Sequence, residues 1–255
     1  MPNCTADDVL ATVPLDDVWR WYWRLAAHIG ARRVAGREPL ASRFLSLYLA
    51  PQTRTGPETF ECPPYLRDHS TIRQALQHHR RVYLTQEEMR TGGGGHRWAG
   101  LRSRWQAPAS YGWNGRDPLS MYYEALVEVP LSWQWTGNDA ERDILYGLGL
   151  GFQLRTEVVC RVTGRSGGLD VTFESFTATV KDRYDFNPTE HITTPNPDYR
   201  SAATGAICPG KETMRVYHRN AQRMERANRA APYDLASDPW RVTDSRLTGA
   251  GAVTF

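Results

Sequence analysis

Apolar and aromatic residues recur at helical spacing through the first third of the chain and change to strict alternation past its middle. Residues 15–29 carry Trp19, Trp21, Tyr22, Trp23, Leu25 and Ile29 behind Pro14, Asp16 and Asp17, a start that suits a helix N-terminus. Several of these aromatics are adjacent, so a single stripe does not hold them. Either the helix is buried on most sides or part of its aromatic face is an interaction surface. The pattern predicts a second short helix over 43–49, ended by Pro51, then a Thr-, Pro- and Gly-rich loop over 51–64. A further helix is predicted over 66–89, with Ile72, Leu76 and Val82 apolar and His78, His79, Arg80 and Arg81 on its polar part.

Residues 122–135 are rich in aromatic and β-branched side chains and read as strand, with Pro130 placing them at an edge or dividing them. A short helix is predicted over 138–150, closed by glycines 147, 149 and 151. Alternation over 152–163 and again over 169–184, around a turn at 165–168, predicts a long antiparallel hairpin. Pro188, Pro195, Pro197 and Pro209 mark a long loop, and Met214, Tyr217, Ala221 and Met224 predict a helix over 212–231. The tail at 249–253 reads as loose or as a last edge strand. These elements predict an α+β fold in three parts: a helical N-terminal region over 1–91, a Gly-rich irregular linker over 92–118 and an antiparallel, half-barrel-like β-rich domain over 119–255 with a late helix. Glycines 92–95 mark the boundary. The chain has no internal repeat.

Composition narrows the classes without choosing among them. The chain has 255 residues, 40% of them hydrophobic, and a formal charge of +3, which excludes a disordered tail and does not suit a dedicated nucleic-acid binder. Only two lysines, Lys181 and Lys211, stand among 31 basic residues, so arginine carries meaning only where it clusters. Cys4, Cys62, Cys160 and Cys208 have no metal-ligand spacing; they are plain buried thiols or close one or two long loops, and spacing does not choose the pairing. Asp7 and Asp8 stand where a signal peptide would be apolar, so synthesis in the cytoplasm without Sec export is expected. No apolar run is long enough for a membrane span. The glycine run lacks the Lys-Ser/Thr ending of a phosphate loop, the neighbouring His96 reads as a linker histidine, and no GxSxG, HExxH or Rossmann pattern occurs.

Chemistry concentrates at the end of the second hairpin strand, in Lys181-Asp182-Arg183-Tyr184-Asp185-Phe186-Asn187-Pro188-Thr189-Glu190-His191. Alternation puts Asp182 and Tyr184 on one face, with Asp185 entering the turn and His191 beyond Pro188. Paired carboxylates hold a hard cation such as Mg²⁺ against phosphate oxygens, or raise one another's pKa for acid–base work. A histidine within reach donates to a leaving oxygen or activates water. The plainer alternative is that Asp185 and Asn187 form a turn while Tyr184 and Phe186 anchor a core.

The spacing Asp-x-Tyr-Asp, five residues, His resembles the signature of the colicin M family, bacteriocins that cleave the peptidoglycan precursor lipid II between its undecaprenyl chain and its pyrophosphate. The resemblance falls on Asp182, Tyr184, Asp185 and His191, preceded by the strand at 173–180. It implies a β-rich catalytic domain, a Mg²⁺-type cation, a cognate immunity protein, and action in a target cell's periplasm, with Asp182 and Asp185 holding the cation or acting as base, His191 as acid or base, and Tyr184 positioning the substrate by a hydrogen bond. The family follows its histidine with an arginine, where this chain has Ile192. The clamp on pyrophosphate that an arginine supplies would then fall to Arg183, Arg200 or the helix predicted at 212–231. A broader likeness, in Gly147 to Val158, the Asp182–Phe186 stretch and the later Asn220, Asp234, Leu235, Ser237 and Asp238, is to an uncharacterised bacterial family associated with type VI secretion. It implies contact-dependent delivery and a secretion-system partner.

Arg215, Arg219, Arg223 and Arg226 fall on one stripe of that predicted helix, either an ordinary solvated face or a contact with anionic lipid headgroups at the inner membrane, with Arg215 and Arg219 as candidate substrate-binding residues. The reading is therefore an antibacterial hydrolase of lipid II. The alternatives are a non-catalytic secretion cargo or adaptor using the aromatic helix, or a toxin with another target, a nuclease or a glycan hydrolase.

Overall fold

A computed structural model describes residues 4, 8–51, 55–84, 118–166, 168–186 and 190–254. The fold is α+β. Its chain order is α1 (Leu15–Gly30), α2 (Leu40–Leu49), β1 (Glu58–Phe60), α3 (Pro64–Arg67), α4 (Ser70–Leu84), β2 (Leu119–Glu128), α5 (Trp133–Thr136), α6 (Asp139–Leu148), β3 (Gly151–Arg165) and β4 (Gly168–Tyr184). It continues with β5 (His191–Pro195), β6 (Thr213–Tyr217), α7 (His218–Arg226), β7 (Tyr233–Ser237), β8 (Trp240–Arg241), α8 (Ser245–Thr248) and β9 (Gly251–Thr254). Two compact units are each assembled from three chain segments. The first comprises Met1–Thr59, Glu128–Phe152 and Asp182–Ala236, the second Phe60–Val127, Gln153–Lys181 and Ser237–Phe255. Glycines 92–95, His96 and nearly all of the segment read as a linker lie outside the described residues.

In the first unit, α1 buries Val18, Trp21, Tyr22 and Leu25, and α2 buries Phe44, Leu45, Tyr48 and Leu49. The adjacent aromatics of α1 thus serve mainly a helix packed on several sides. Helix α6 starts at a full capping box: the Asn138 Oδ1 accepts from the Glu141 N–H at 3.0 Å and the Glu141 Oε2 accepts from the Asn138 N–H at 2.7 Å. Asp143 on α6 then caps α2, which begins after Pro39 and has no side-chain cap of its own. The Asp143 carboxylate accepts from the Leu40 and Ala41 N–H groups, both at 2.9 Å. Gly147 lets the two helices approach, because a Cβ there would stand 3.2 Å from the Ala41 nitrogen.

The helix expected over 212–231 is corrected by the structure. Residues 213–217 form β6, which pairs antiparallel with β5 in the register Ile192 to Val216 and Thr194 to Met214, and only His218–Arg226 is helical. Met214 and Val216 are buried while Arg215 is exposed, the period of two that a strand imposes. The arginine stripe does not survive either. Arg215 sits on the strand, Arg219 is ion-paired with Asp8, and Arg223 donates to the carbonyls of Leu10 and Val13. The Pro-rich loop also holds regular structure, namely β5. A disulfide joins Cys4 to Cys208.

In the second unit, β4 pairs antiparallel with β3 along its length, with a bulge between Val159 and Cys160, and β3 in turn neighbours β2. Strands β8 and β9 both pair with β4, which makes the tail an edge strand. Helix α4 buries Ile72, Leu76, Val82, Tyr83 and also His79, which the sequence placed on the polar part. His79 is fully buried, its Nδ1 lies 2.9 Å from the Thr156 hydroxyl, and Tyr83 bonds the same hydroxyl at 2.7 Å. Cys62 and Cys160 are buried thiols whose pKa burial pushes up to about 12. No helix among the described residues is long and apolar enough to cross a membrane.

Candidate functional site

A cavity of about 300 Å³ opens within the first unit where β4 ends. Asp182, Arg183, Tyr184 and Asp185 line it from that strand end, Ile192 and Thr194 from β5, Val216 from β6 and His218 from the start of α7. Tyr22 and Leu25 of α1 and the Gly147–Gly151 stretch after α6 complete much of the wall. Gly149, at φ 68°, is the residue that turns the chain out of α6. One part of the wall is apolar, the other carries carboxylates, phenols and an imidazole.

Asp182 is half-buried, and its carboxyl pKa is raised to about 7. Burial is the main cause, the bond from the Arg183 backbone N–H works against it, and the charge of Asp185 adds to it. Tyr184 is buried among aromatic rings, with Phe186 at 5.6 Å, Tyr233 at 5.6 Å, Tyr48 at 5.9 Å and Phe44 at 6.1 Å between centroids. Burial holds its phenol well above the ordinary value, as it does that of Tyr22. The Tyr22 hydroxyl is buried and has no hydrogen-bond partner among the described residues, and the same holds for the Thr194 hydroxyl. Arg183 bridges two carboxylates, with Asp234 at 2.9 Å and Asp185 at 3.5 Å. His218 packs against the Phe186 ring at 5.0 Å, with its Nδ1 3.9 Å from a carboxylate oxygen of Glu190, which also lines the cavity.

Of the residues singled out from sequence, Asp182, Tyr184, Asp185 and Arg183 converge on this cavity. His191 does not. Strand alternation sends Ile192 and Thr194 inward, and leaves His191 exposed with its ring 5.2 Å from that of Tyr217. The imidazole in the cavity wall belongs to His218 instead. Ile192, at the position where the colicin M pattern has arginine, faces the cavity as an apolar side chain. Arg200 lines a different cavity, and neither Arg215 nor Arg219 lines the first. Asn187, Pro188 and Thr189 lie outside the described residues.

Sequence reasoning missed His218, Tyr22 and Glu190. Tyr22 is hidden within an aromatic run that reads as core, and His218 follows directly on a strand whose spacing also fits a helix. Among the described residues no three His, Cys, Asp or Glu side chains form a metal-binding group. The two carboxylates Asp182 and Asp185 are hard oxygen donors of the kind Mg²⁺ takes, and a cation there would draw the rest of its shell from water and phosphate oxygens.

No family model matches the chain, and neither a curated protein nor a solved structure matches it.

Proposed function

We propose that the cavity at the end of β4 is the active site of a hydrolase, with Asp182 as its acid–base group, and that the substrate is a polyprenyl pyrophosphate, lipid II. The observation that carries the reading is the convergence of Asp182, Asp185 and Tyr184 on one cavity wall, where burial raises the Asp182 carboxyl toward neutrality so that it can both accept and return a proton. In hydrolysis, water adds at phosphorus, the bond to the prenyl oxygen breaks, and a proton passes to that oxygen. Ionised Asp182 takes the proton from water, and protonated Asp182 gives one to the leaving oxygen. Tyr22 and Tyr184 offer hydroxyls to the substrate's phosphate oxygens, Arg183 brings a guanidinium to the rim, and His218 is a second proton carrier. Leu25, Leu45, Leu145, Ile192 and Val216 provide an apolar wall for the first isoprene units. Mg²⁺ on the Asp185 carboxylate would neutralise charge on the pyrophosphate and leave Asp182 free to carry the proton.

The Cys4–Cys208 disulfide supports action in an oxidising compartment such as the periplasm. On this reading the producing cell delivers the protein by contact and protects itself with an immunity protein. The test is incubation of the purified, oxidised chain with lipid II and Mg²⁺, following release of free undecaprenol. The expected result is release by the wild type and by His191→Ala, and none by Asp182→Asn. Absence of release by the wild type, or undiminished release by Asp182→Asn, overturns the proposal. Expression in a bacterial host is the companion measurement: lysis only with an added export signal agrees with the reading, and killing from the cytoplasm points to a nuclease instead.

A further inference from the structure

A second cavity in the first unit, about 730 Å³, lies outside the proposed chemistry. Two of its lining side chains are aromatic and exposed: Trp135 on α5, at 61%, and Tyr199 on the loop after β5, at 38%. An indole left mostly in water on a folded unit leaves apolar surface uncovered, which marks a contact surface for a ligand with an apolar face.

The charges in the same cavity are balanced. Arg32, Arg142 and Arg200 are offset by Asp139, Asp143 and Glu212, and Asp139 lies 3.9 Å from Arg142. Such a site has no net field to draw a polyphosphate or a nucleic acid, whose binding rests on neutralising phosphates. Planar guanidinium and carboxylate groups do suit neighbouring hydroxyls, because each presents two hydrogen-bonding atoms at once. Gln134 adds an amide: its Oε1 accepts from the Thr193 N–H at 2.9 Å, which leaves its nitrogen as a donor.

The loop that carries Tyr199 and Arg200 is held in advance. The Asn196 side chain, 1% exposed, donates to the carbonyls of Ile207, Cys208 and Lys211, and accepts from the Trp21 indole and the Asp198 N–H. The buried Asp198 takes Arg24 at 2.7 and 2.8 Å and the Ile207 N–H at 2.7 Å. A ligand meeting Tyr199 therefore has little loop ordering to offset.

We infer that this second cavity is a carbohydrate-binding site, in which Trp135 and Tyr199 pack on the apolar faces of pyranose rings while Gln134, the arginines, Asp139 and Glu212 hold their hydroxyls. The inference goes beyond the hydrolytic reading and does not require it. Ile29, Tyr146 and Thr194 line both cavities, so a sugar joined to a group in the first would reach the second.

The test is titration of the oxidised full chain with tri-N-acetylchitotriose, reading the Trp135 indole N–H by NMR, with single-stranded DNA as the polyanion control. The expected result is saturable binding that moves the Trp135 signal, weakened about tenfold or more by Trp135→Ala and by Tyr199→Ala. Trp135→Phe should retain most of it, and Asp182→Asn all of it. Both aromatics are exposed, so unchanged melting temperatures confirm that the variants fold. Three results overturn the inference: no saturable binding of the trisaccharide, binding indifferent to both alanine variants, or DNA binding that depends on the same two residues. Because Asp182→Asn silences the first cavity alone, failure of the hydrolytic reading and failure of the sugar site are separately visible.

Discussion

Among the groups that burial shifts, a carboxyl in the first unit and an imidazole in the second have gone in opposite directions. In the first unit, burial raises the Asp182 carboxyl to about 7. In the second, burial lowers the His79 imidazole to about 3, with the neighbouring His78 adding to the effect. The physical force is the same, the cost of keeping a charge away from water, and it acts against the charged form in both. Its consequence differs because one group ionises by losing a proton and the other by gaining one. The carboxyl is carried into the range where it exchanges protons at physiological pH, while the imidazole is carried out of it. Surroundings match: Asp182 lines a cavity, whereas His79 is locked to Thr156 and packed edge-on against Tyr123 at 4.7 Å. A shifted pKa marks a functional group only where the group also faces open space.

The largest effect expected from breaking this contrast is on turnover. Asp182→Asn should lower lipid II hydrolysis by about 10²–10⁴-fold, the usual worth of a positioned acid–base group, and should leave the fold intact by circular dichroism. Relative to the wild type, the same variant should become the more stable protein as pH rises. The native carboxyl has a raised pKa, so the wild type holds a proton that the unfolded chain has released, and its stability falls between about 4 and about 7. Asparagine does not titrate. Thermal melts of the two proteins should coincide near pH 4 and separate by pH 8, the variant melting higher. Coincident melts across that range would mean that Asp182 is not held neutral by the fold.

Next in size is the structural partner of the comparison. His79→Ala should cost about 2–4 kcal/mol of stability through the cavity it leaves and the hydroxyl it strips of a partner, measured by urea unfolding, with activity per folded molecule unchanged. His79→Gln keeps a polar partner for Thr156 and removes the titration. The native imidazole stays neutral down to about 3 while the unfolded one protonates near 6.5. Wild-type stability therefore falls more steeply than that of the glutamine variant as pH drops from about 6.5 toward 3. Parallel curves for the two would show that the ring is not kept neutral.

The disulfide joins two segments of the first unit alone, so its loss should be felt there. Reduction, or Cys208→Ser, should destabilise the first unit by about 2–4 kcal/mol. Hydrogen exchange should read this as lost protection in α1 and β5–β6 with β3 and β4 unaffected. Equal loss in both units would mean that they unfold together.

These contrasts also mark where the sequence was readable. The hairpin β3–β4 was plain because alternation runs through most of both strands, and helix α1 because Pro14, Asp16 and Asp17 mark its start ahead of a long apolar run. The span 212–231 was not. Met214, Tyr217, Ala221 and Met224 fit a helix, but Met214 and Val216 equally fit a strand, and a short strand running straight into a helix carries buried residues in both periods. His79 sat among charged neighbours and looked solvated, although only its own angle on the helix decides its surroundings. In the site, alternation along β4 placed Asp182 and Tyr184 correctly on one face. Beyond Pro188 the phase of the next strand is not set by β4, and one residue of parity exchanges His191 for Ile192 in the cavity wall. His218 was out of reach for the same reason that most sites are: the fold brings together what the chain keeps apart.

That parity yields the smallest and most pointed expectation. Because Ile192 rather than His191 faces the cavity, an arginine at 192 would enter the wall where the colicin M pattern carries one, opposite Val216 and in a cavity shared with Asp185 and Glu190. Those carboxylates can partner a guanidinium, so the substitution need not leave an unpaired buried charge. A guanidinium also offers pyrophosphate a bidentate grip that isoleucine lacks. Ile192→Arg should therefore lower the KM for lipid II by about threefold to tenfold with kcat little changed, the signature of added binding energy shared by ground and transition states. The control is His191→Arg, which puts the same charge on the outer face of the same strand and should change neither constant. If the two arginines act alike, the benefit is a general electrostatic one and β5 does not aim Ile192 at the substrate. If Ile192→Arg raises KM, the apolar wall it interrupts was the part of the cavity that binds the prenyl chain.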